Sequence, residues 1–450
     1  MRIRTIALLI LTNAVLSALP IRTEEAKAVD IQKRAEELKG LKWGLFICWS
    51  LSTFSGKEWT PGVADVSFFK ATGCDADQWA RTAKGAGMGY ILFLTKHHDG
   101  FCLWDTKTTE RKVTRAPLAL DVLAELRKAC DKHGIRLALY FSEGDWTWPG
   151  AKDGQGGGTG RNPQAVKAQL QELCTQYGPL EFFWMDCAAG HAGLDHQEIT
   201  AWVKSFQPGC FVGFNGGGGD LRAGEMGRPG PLRPPYLVGE FTYPILPPHQ
   251  GGAMWFYSLP KHDNLCYPAE KIYKDYAGAV KHGNIFSLDA GPDYQGKLRK
   301  IDVETLLKVG ALIKDPPPPQ PAPLSEGKPA RASSVWPQPG YEAGKAFDGD
   351  EATRWGAAAG ARSGWLEVDL GAPTLVGRAV LKELGFHRTE EFAIEHQDGD
   401  TWKAILTGTK IAGEKTFDFP PLTARFFRLN ILKANEVPTL EEFQLFKPQK

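Results

Sequence analysis

The stretch Asp315-Pro316-Pro317-Pro318-Pro319-Gln320-Pro321-Ala322-Pro323 constrains the fold more than any other feature of this chain. Proline fixes φ and removes the backbone donor, so neither a helix nor a central strand runs through it, and the stretch reads as a polyproline II linker. The hydrophobic pattern differs on its two sides. Ahead of it, short β-rich apolar runs alternate with helical patterns; behind it, apolar and polar residues alternate with period two. A chain of 450 residues exceeds one core. The expected organisation is a leader over 1–28, a first domain over 29–314, the linker over 315–326 and a second domain over 327–450.

In the first domain, strands are expected at Trp43–Cys48, Tyr90–Thr95, Arg136–Phe141, Leu180–Met185, Cys210–Phe214, Tyr236–Glu240, Met254–Tyr257 and Asn284–Leu288. Helical segments near Ala76–Ala86, Leu118–His133, Pro163–Tyr177, His196–Phe206, Ala269–Lys281 and Val303–Ile313 fall between or after them. Such alternation implies parallel strands with right-handed crossovers, and eight of them suit a closed (β/α)8 TIM-like barrel, an α/β architecture. Between Phe214 and Tyr257 the chain is rich in Gly and Pro and shows no helical period. Beyond the linker, Trp365–Leu370, Phe392–His396, Phe426–Ile431 and Phe443–Phe446 alternate as the strands of an antiparallel all-β sandwich.

The N-terminus runs Met1-Arg2-Ile3-Arg4, then an apolar segment to about Leu19, then the polar Arg22–Lys27, with Ala26-Lys27-Ala28 offering small residues at cleavage positions. This order predicts a signal peptide and a secreted, periplasmic or extracellular protein. The apolar segment is short for the ~20 residues of a membrane span, and no later stretch qualifies. Lys+Arg 53 against Asp+Glu 52 gives a net charge of +1, which favours no nucleic-acid partner. All 8 cysteines precede residue 270; an exported chain permits disulfides, but several sit in apolar strand-like runs as buried thiols do, and no pairing is assigned.

Chemistry-bearing residues gather at the expected strand ends. Lys96-His97-His98-Asp99-Gly100-Phe101-Cys102-Leu103-Trp104 follows the apolar run Tyr90–Thr95, and the carboxyl ends of barrel strands are where catalytic groups collect. Neighbouring strand residues point to opposite faces, which argues against His97 and His98 sharing one metal ion. Leu180-Glu181-Phe182-Phe183-Trp184-Met185-Asp186 is an apolar run ending in an acid, and Glu225 and Glu240 also follow short strand-like runs. A retaining glycosidase needs such a set: one carboxylate attacks the anomeric carbon while a protonated one donates to the departing oxygen, without a cofactor. Trp59, Tyr140, Trp146, Trp148, Trp184 and Trp255 offer flat faces for sugar C–H groups, while core packing is the expectation for at least Trp184.

From about Leu41 to Ile313 these residues resemble the family-29 α-L-fucosidases. The resemblance is carried by Phe46-Ile47-Cys48-Trp49 through Glu58-Trp59, the run from Lys96 to Trp104, Ala138-Leu139-Tyr140-Phe141-Ser142, Phe183-Trp184-Met185-Asp186, and Asn284 through Gly291-Pro292-Asp293. It implies that Asp186 is the nucleophile and that Trp59, His97, His98 and Tyr140 contact the fucose ring. Asp220 through Gly227 looks like the acid/base segment of the branch acting on 1,3/1,4-linked fucose. That implies Glu225 as acid/base, with Glu240 as its substitute and Glu240 and Trp255 as substrate contacts. Two departures stand out: Cys48 where the family usually has His, and Cys187 where it has Gly after the nucleophile.

The second domain resembles the factor 5/8 type C, or discoidin, sandwich used as a carbohydrate-binding module, through Ala332-Ser333-Ser334, Lys345 to Trp355, Trp365 to Gly371 and Glu442 to Phe446. The resemblance implies one structural Ca2+ ion, for which Asp348, Asp350, Thr353 and Glu442 supply hard oxygen ligands; a metal-free acidic turn is the alternative. The expected partner is a fucosylated oligosaccharide or glycoconjugate. Two other readings stay open: a different exo-glycosidase on the same barrel, raised by Cys48, and a glycan-binding protein without turnover, against which Asp186 and two further acids argue.

Overall fold

The computed structural model describes residues 29–148, 161–188, 190–225, 230–232, 234–318, 321–383 and 387–448; the leader expected over 1–28 lies outside them. Eight parallel strands close the first domain into a barrel in chain order: β1 (Trp43–Ile47), β2 (Tyr90–Lys96), β3 (Arg136–Ser142), β4 (Phe182–Asp186), β5 (Phe211–Phe214), β6 (Leu221–Glu225), β7 (Val238–Pro244) and β8 (Ile285–Asp289). Pairing of β8 back onto β1 completes it. Except for β6, where Arg222 and Glu225 are exposed, the strands are buried on both faces almost throughout, which explains why most read as unbroken apolar runs.

The helices outside the barrel start where the sequence offers caps. Asp121 accepts from Ala124 N ahead of Val122–His133, and Asp195 and Glu198 form a reciprocal capping box ahead of His196–Phe206. Gly134, at φ 66°, ends the first of these in the left-handed conformation that favours glycine.

Two expected strands are corrected. Tyr236–Glu240 is displaced to Val238–Pro244 and is the seventh strand, while Met254–Tyr257 forms none. The Met254 and Trp255 N–H groups instead point at the Glu58 carboxylate, at 2.7 and 3.5 Å. The sixth strand, Leu221–Glu225, lies in the Gly-rich region and joins β5 by the single register pair Gly213↔Leu221. Only Asn215 to Asp220 separate β5 from β6, far fewer residues than a parallel crossover usually takes. Gly216, Gly217, Gly218 and Gly219 all adopt positive φ there, and a Cβ on Gly219 would meet Val212 O at 2.0 Å.

In the second domain Gly364–Lys382, Thr389–Asp398, Thr401–Gly408, Glu414–Ala434 and Glu442–Phe446 make an antiparallel sheet, extended by Ala330–Ala332. Trp355–Gly356 and Thr439–Leu440 form a second, two-stranded sheet. Its core includes Phe347, Trp355, Leu366, Phe427 and Phe443. Leu324 N and Ser325 Oγ already hydrogen-bond to the last strand, so the chain joins the sandwich directly after Pro323. The domains meet where Lys274 pairs with Glu351 at 2.8 Å and His282 Nε2 approaches Asp350 at 3.2 Å. All eight cysteines are free thiols. Among the described residues no helix is long and apolar enough to cross a membrane.

Candidate active site

A cavity of about 310 Å3 opens at the carboxyl ends of the strands and is lined by Cys48, Glu58, His97, His98, Tyr140, Asp186 and Glu225, among others. Asp186 ends β4 and is 7% exposed. Its Oδ2 accepts from the Tyr140 hydroxyl at 2.7 Å and its Oδ1 from Ala188 N at 2.9 Å. Burial and the neighbouring Asp186 charge push the Tyr140 phenol well above its ordinary range, so it stays a donor. The Tyr140 ring stacks on Trp184, with centroids 5.5 Å apart at 16°.

His97 and His98 lie past the end of β2, so strand alternation does not separate them: both face the cavity, with ring centroids 4.2 Å apart. Burial lowers both, His98 to about 3, which leaves neutral imidazoles. The Ser142 hydroxyl donates to Gly144 O at 2.7 Å and therefore accepts from His98 Nδ1 at 2.8 Å. His98 Nε2, 3.5 Å from Asp186 Oδ2, is then an acceptor and not one half of an ion pair. His97 Nδ1 is buried without a partner. The rest of the run turns away from the cavity: Lys96 reaches Gln169 at 3.1 Å, and Trp104 Nε1 donates to Glu172 at 2.9 Å.

Glu225 is brought to the cavity by β6, where Asn215 Nδ2 donates to its Oε2 at 2.8 Å. Although the residue is exposed by surface area, the partial desolvation of its carboxyl in the cavity, then the Asp186 charge, raise its pKa above the ordinary carboxyl value, and the Asn215 bond opposes them. Glu240 goes elsewhere. It is 2% exposed, outside the cavity lining, and accepts from Trp184 Nε1 at 2.8 Å. Burial lifts it to about 7 although Ser287, Trp184 and Gly224 hydrogen bonds favour its charged form. Glu240 was expected as a sugar contact; here it lies outside the cavity lining and supports the Trp184 stacked on Tyr140.

Trp255 and the 36%-exposed Trp59 form the apolar wall. Sequence reasoning passed over two acids here. Glu58 lines the cavity and is raised by burial. Asp289 ends β8 as Asp186 ends β4, a run-plus-acid pattern visible in Ile285-Phe286-Ser287-Leu288-Asp289. It is 1% exposed, faces the Cys48 thiol, and burial drives its pKa well above the carboxyl range.

In the sandwich, the Thr353 hydroxyl has four oxygens within reach: Asp348 Oδ1 and Oδ2 at 3.0 and 2.9 Å, and Lys345 O and Asp350 O both at 3.2 Å. One hydroxyl proton satisfies one of them. Glu442 Oε1 is buried without a partner, and the Asp348 charge helps to raise Glu442. An all-oxygen set with an orphaned carboxylate fits a hard cation. The Asp350 carboxylate departs from the expected set: it accepts from Ala352 N and faces His282, leaving its main-chain oxygen at the cluster.

Carboxylates in an aromatic-walled cavity on the catalytic rim of a (β/α)8 barrel define a glycoside-hydrolase type of site. The family model for alpha-L-fucosidase matches residues 63–315, more than half of the chain, and that for the F5/8 type C domain matches residues 329–443. The chain belongs to the alpha-L-fucosidase family and carries an F5/8 type C domain. It is 28% identical over 300 residues to alpha-L-fucosidase 1 of Arabidopsis thaliana, covering 59% of this chain and 58% of that protein. It is 25% identical over 267 residues to the plasma alpha-L-fucosidase of Homo sapiens, covering 55% of each. The chain thus spans little more than half the length of these two relatives. A GH29 fucosidase of Ruminococcus gnavus in complex with fucose shares the fold at a TM-score of 0.51 and 21% identity, covering 94% of this chain and 95% of that one. The unliganded alpha-L-fucosidase AlfC of Lactobacillus casei does so at 0.52 and 23%, covering 63% and 98%.

Proposed function

We propose that this chain is a retaining α-L-fucosidase that removes terminal fucose from exported or surface glycans. The observation that carries the reading is the unequal setting of two acids in one cavity. Asp186 is held by Tyr140 and Ala188, while Glu225 is biased toward its protonated form by burial and by Asp186. Asp186 attacks the anomeric carbon and forms a glycosyl ester as Glu225 protonates the departing oxygen; Glu225 then takes a proton from the water that cleaves the ester. His98 Nε2 and the unpartnered His97 Nδ1 offer neutral hydrogen-bonding positions for ring hydroxyls, and Trp59 and Trp255 offer faces for the apolar side of the sugar.

The resemblance around Glu225 supports 1,3/1,4-linked fucose as substrate, and the N-terminal pattern supports secretion. In the sandwich, Asp348, Thr353, Glu442 and the main chain of Lys345 and Asp350 would hold one calcium ion, which supplies structural cross-linking and no chemistry. One residue favours a second reading. Cys48 gives the cavity a weak donor where the family usually has an imidazole, which would suit a different exo-glycoside. Hydrolysis of an aryl α-L-fucoside, beside other aryl glycosides and fucosylated oligosaccharides of defined linkage, tests both. Turnover of another glycoside in preference to the fucoside overturns the first reading.

A further inference from the structure

Just past the carboxyl ends of β3 and β4, four side chains converge that the glycosidase chemistry does not use: Glu143, Cys187, His191 and His196, with one ligand atom from each lying within 4.8 Å of all the others. Cys187 Sγ is 3.2 Å from Glu143 Oε2 and 3.7 Å from His196 Nε2. His191 Nδ1 is 3.2 Å from Glu143 Oε1, and His196 Nε2 is 3.5 Å from Glu143 Oε2. Bonds of ~2.0–2.3 Å to nitrogen, oxygen and sulfur around a tetrahedral ion set ligand atoms roughly 3.3–3.8 Å apart. The 3.5 and 3.7 Å contacts fall in that range and the two 3.2 Å contacts just below it, while the whole set lies within 4.8 Å, so small side-chain shifts bring the four donors onto one ion.

We infer that Glu143, Cys187, His191 and His196 form a binding site for one divalent transition ion of the zinc class. The donor set selects the metal, because a thiolate and two imidazoles suit a borderline-soft ion and not calcium or magnesium. Rigid elements hold most of it. Glu143 follows β3 and is fully buried, Cys187 follows β4, and His196 opens a capped helix with its ring stacked on Phe214 at 3.7 Å and 12°. The His191 side chain is 61% exposed, which gives the ion an entry path. On binding, the Cys187 thiol gives its proton to solvent and the ligands replace water on the ion; no electron is transferred.

The ion would clamp the segment that carries Asp186. Glu143 N donates to Asp186 O at 2.9 Å, and Cys187 is the next residue in the chain. The inference does not depend on which glycoside the barrel cleaves.

The test uses the full chain, stripped with a chelator, reloaded with Zn2+ or Co2+ and desalted. One equivalent of zinc is expected to stay bound, the melting temperature to rise with zinc concentration, and the cobalt form to show the intense visible bands and thiolate charge-transfer band of a tetrahedral site. Cys187→Ser should abolish the charge-transfer band, and His191→Ala, a change at an exposed side chain that leaves the fold intact, should abolish retention and the zinc-dependent shift. Cys266→Ser should leave all three signals unchanged. Failure of the wild-type chain to retain stoichiometric zinc, or survival of the signals in both Cys187→Ser and His191→Ala, overturns the site.

Discussion

The Tyr140 hydroxyl donates to Asp186 Oδ2 across 2.7 Å, and the same ring is stacked on Trp184, whose Nε1 donates to the buried Glu240. Asp186, the proposed nucleophile, is therefore oriented by a column running inward from the cavity to the barrel core. Tyr140→Phe keeps the stack and deletes only the donor. A hydrogen bond to a charged group contributes ~1.5–3 kcal/mol, so kcat/KM for an aryl fucoside should fall ~10–100-fold. Unchanged kinetics would show that the hydroxyl does not orient Asp186.

Asp186 and Glu225 separate by leaving group. Asp186→Ala should abolish turnover on every substrate, with partial recovery when azide attacks from the vacated face. Glu225→Gln should spare an aryl leaving group of low pKa and lose the ~10²–10⁴-fold of general acid catalysis on a sugar leaving group. Equal losses on both substrates remove Glu225 from the acid role.

The Asn215 bond to Glu225 favours the carboxylate, against burial and Asp186. Deleting it in Asn215→Ala should raise the Glu225 pKa further. Since the acid works protonated, the alkaline limb of the kcat profile should move to higher pH while kcat itself drops as the carboxyl loses its anchor. A limb that moves to lower pH, or stays put, contradicts this assignment.

The calcium reading predicts that adding Ca2+ to a metal-stripped, zinc-reloaded full chain raises its melting temperature by mass action and leaves hydrolysis of small aryl fucosides largely unchanged. Thr353→Val removes the hydroxyl at the centre of the oxygen cluster and should abolish the shift. No calcium-dependent shift at any concentration leaves a metal-free turn.

The barrel was legible where a strand is an apolar run bounded by turns, as at Tyr90–Lys96 or Phe182–Asp186, and where a helix carries its own cap, as at His196–Phe206. It was not legible at Leu221–Glu225, because Arg222 and Gly224 break the apolar pattern and the strand is held by neighbours, not by its own burial. Met254–Tyr257 misled for the opposite reason: Phe256 and Tyr257 are buried and Met254 and Trp255 line the cavity, while two of the segment's N–H groups point at Glu58 and not at a neighbouring strand. Asp186 stood out because an acid closes an apolar run, and Asp289 carries the same signal. The Glu143 cluster was half legible: Cys187, His191 and His196 lie within ten residues of one another, a spacing open to reading as ligands, whereas Glu143 is distant in sequence and only the β3–β4 register Ser142↔Asp186 brings it to them.

Glu240 gives the last prediction, and it separates a buried support from an acid. Its folded pKa of about 7 lies above the ordinary carboxyl value of 4.5, so between those values the native chain binds more protons than the unfolded chain. Its contribution to stability is therefore fully present below about pH 4.5 and is lost as pH rises through about 7. Glu240→Gln can still accept from Trp184 Nε1 but cannot ionise. The difference in melting temperature between the variant and the wild type should grow in the variant's favour by several degrees across that window and then level off, which isolates Glu240 from the other titrating groups. Kinetics supply the second arm. A support beneath Trp184 predicts that any loss of kcat in Glu240→Gln is the same for aryl and sugar leaving groups, whereas a loss confined to the sugar would make Glu240 the acid and displace Glu225.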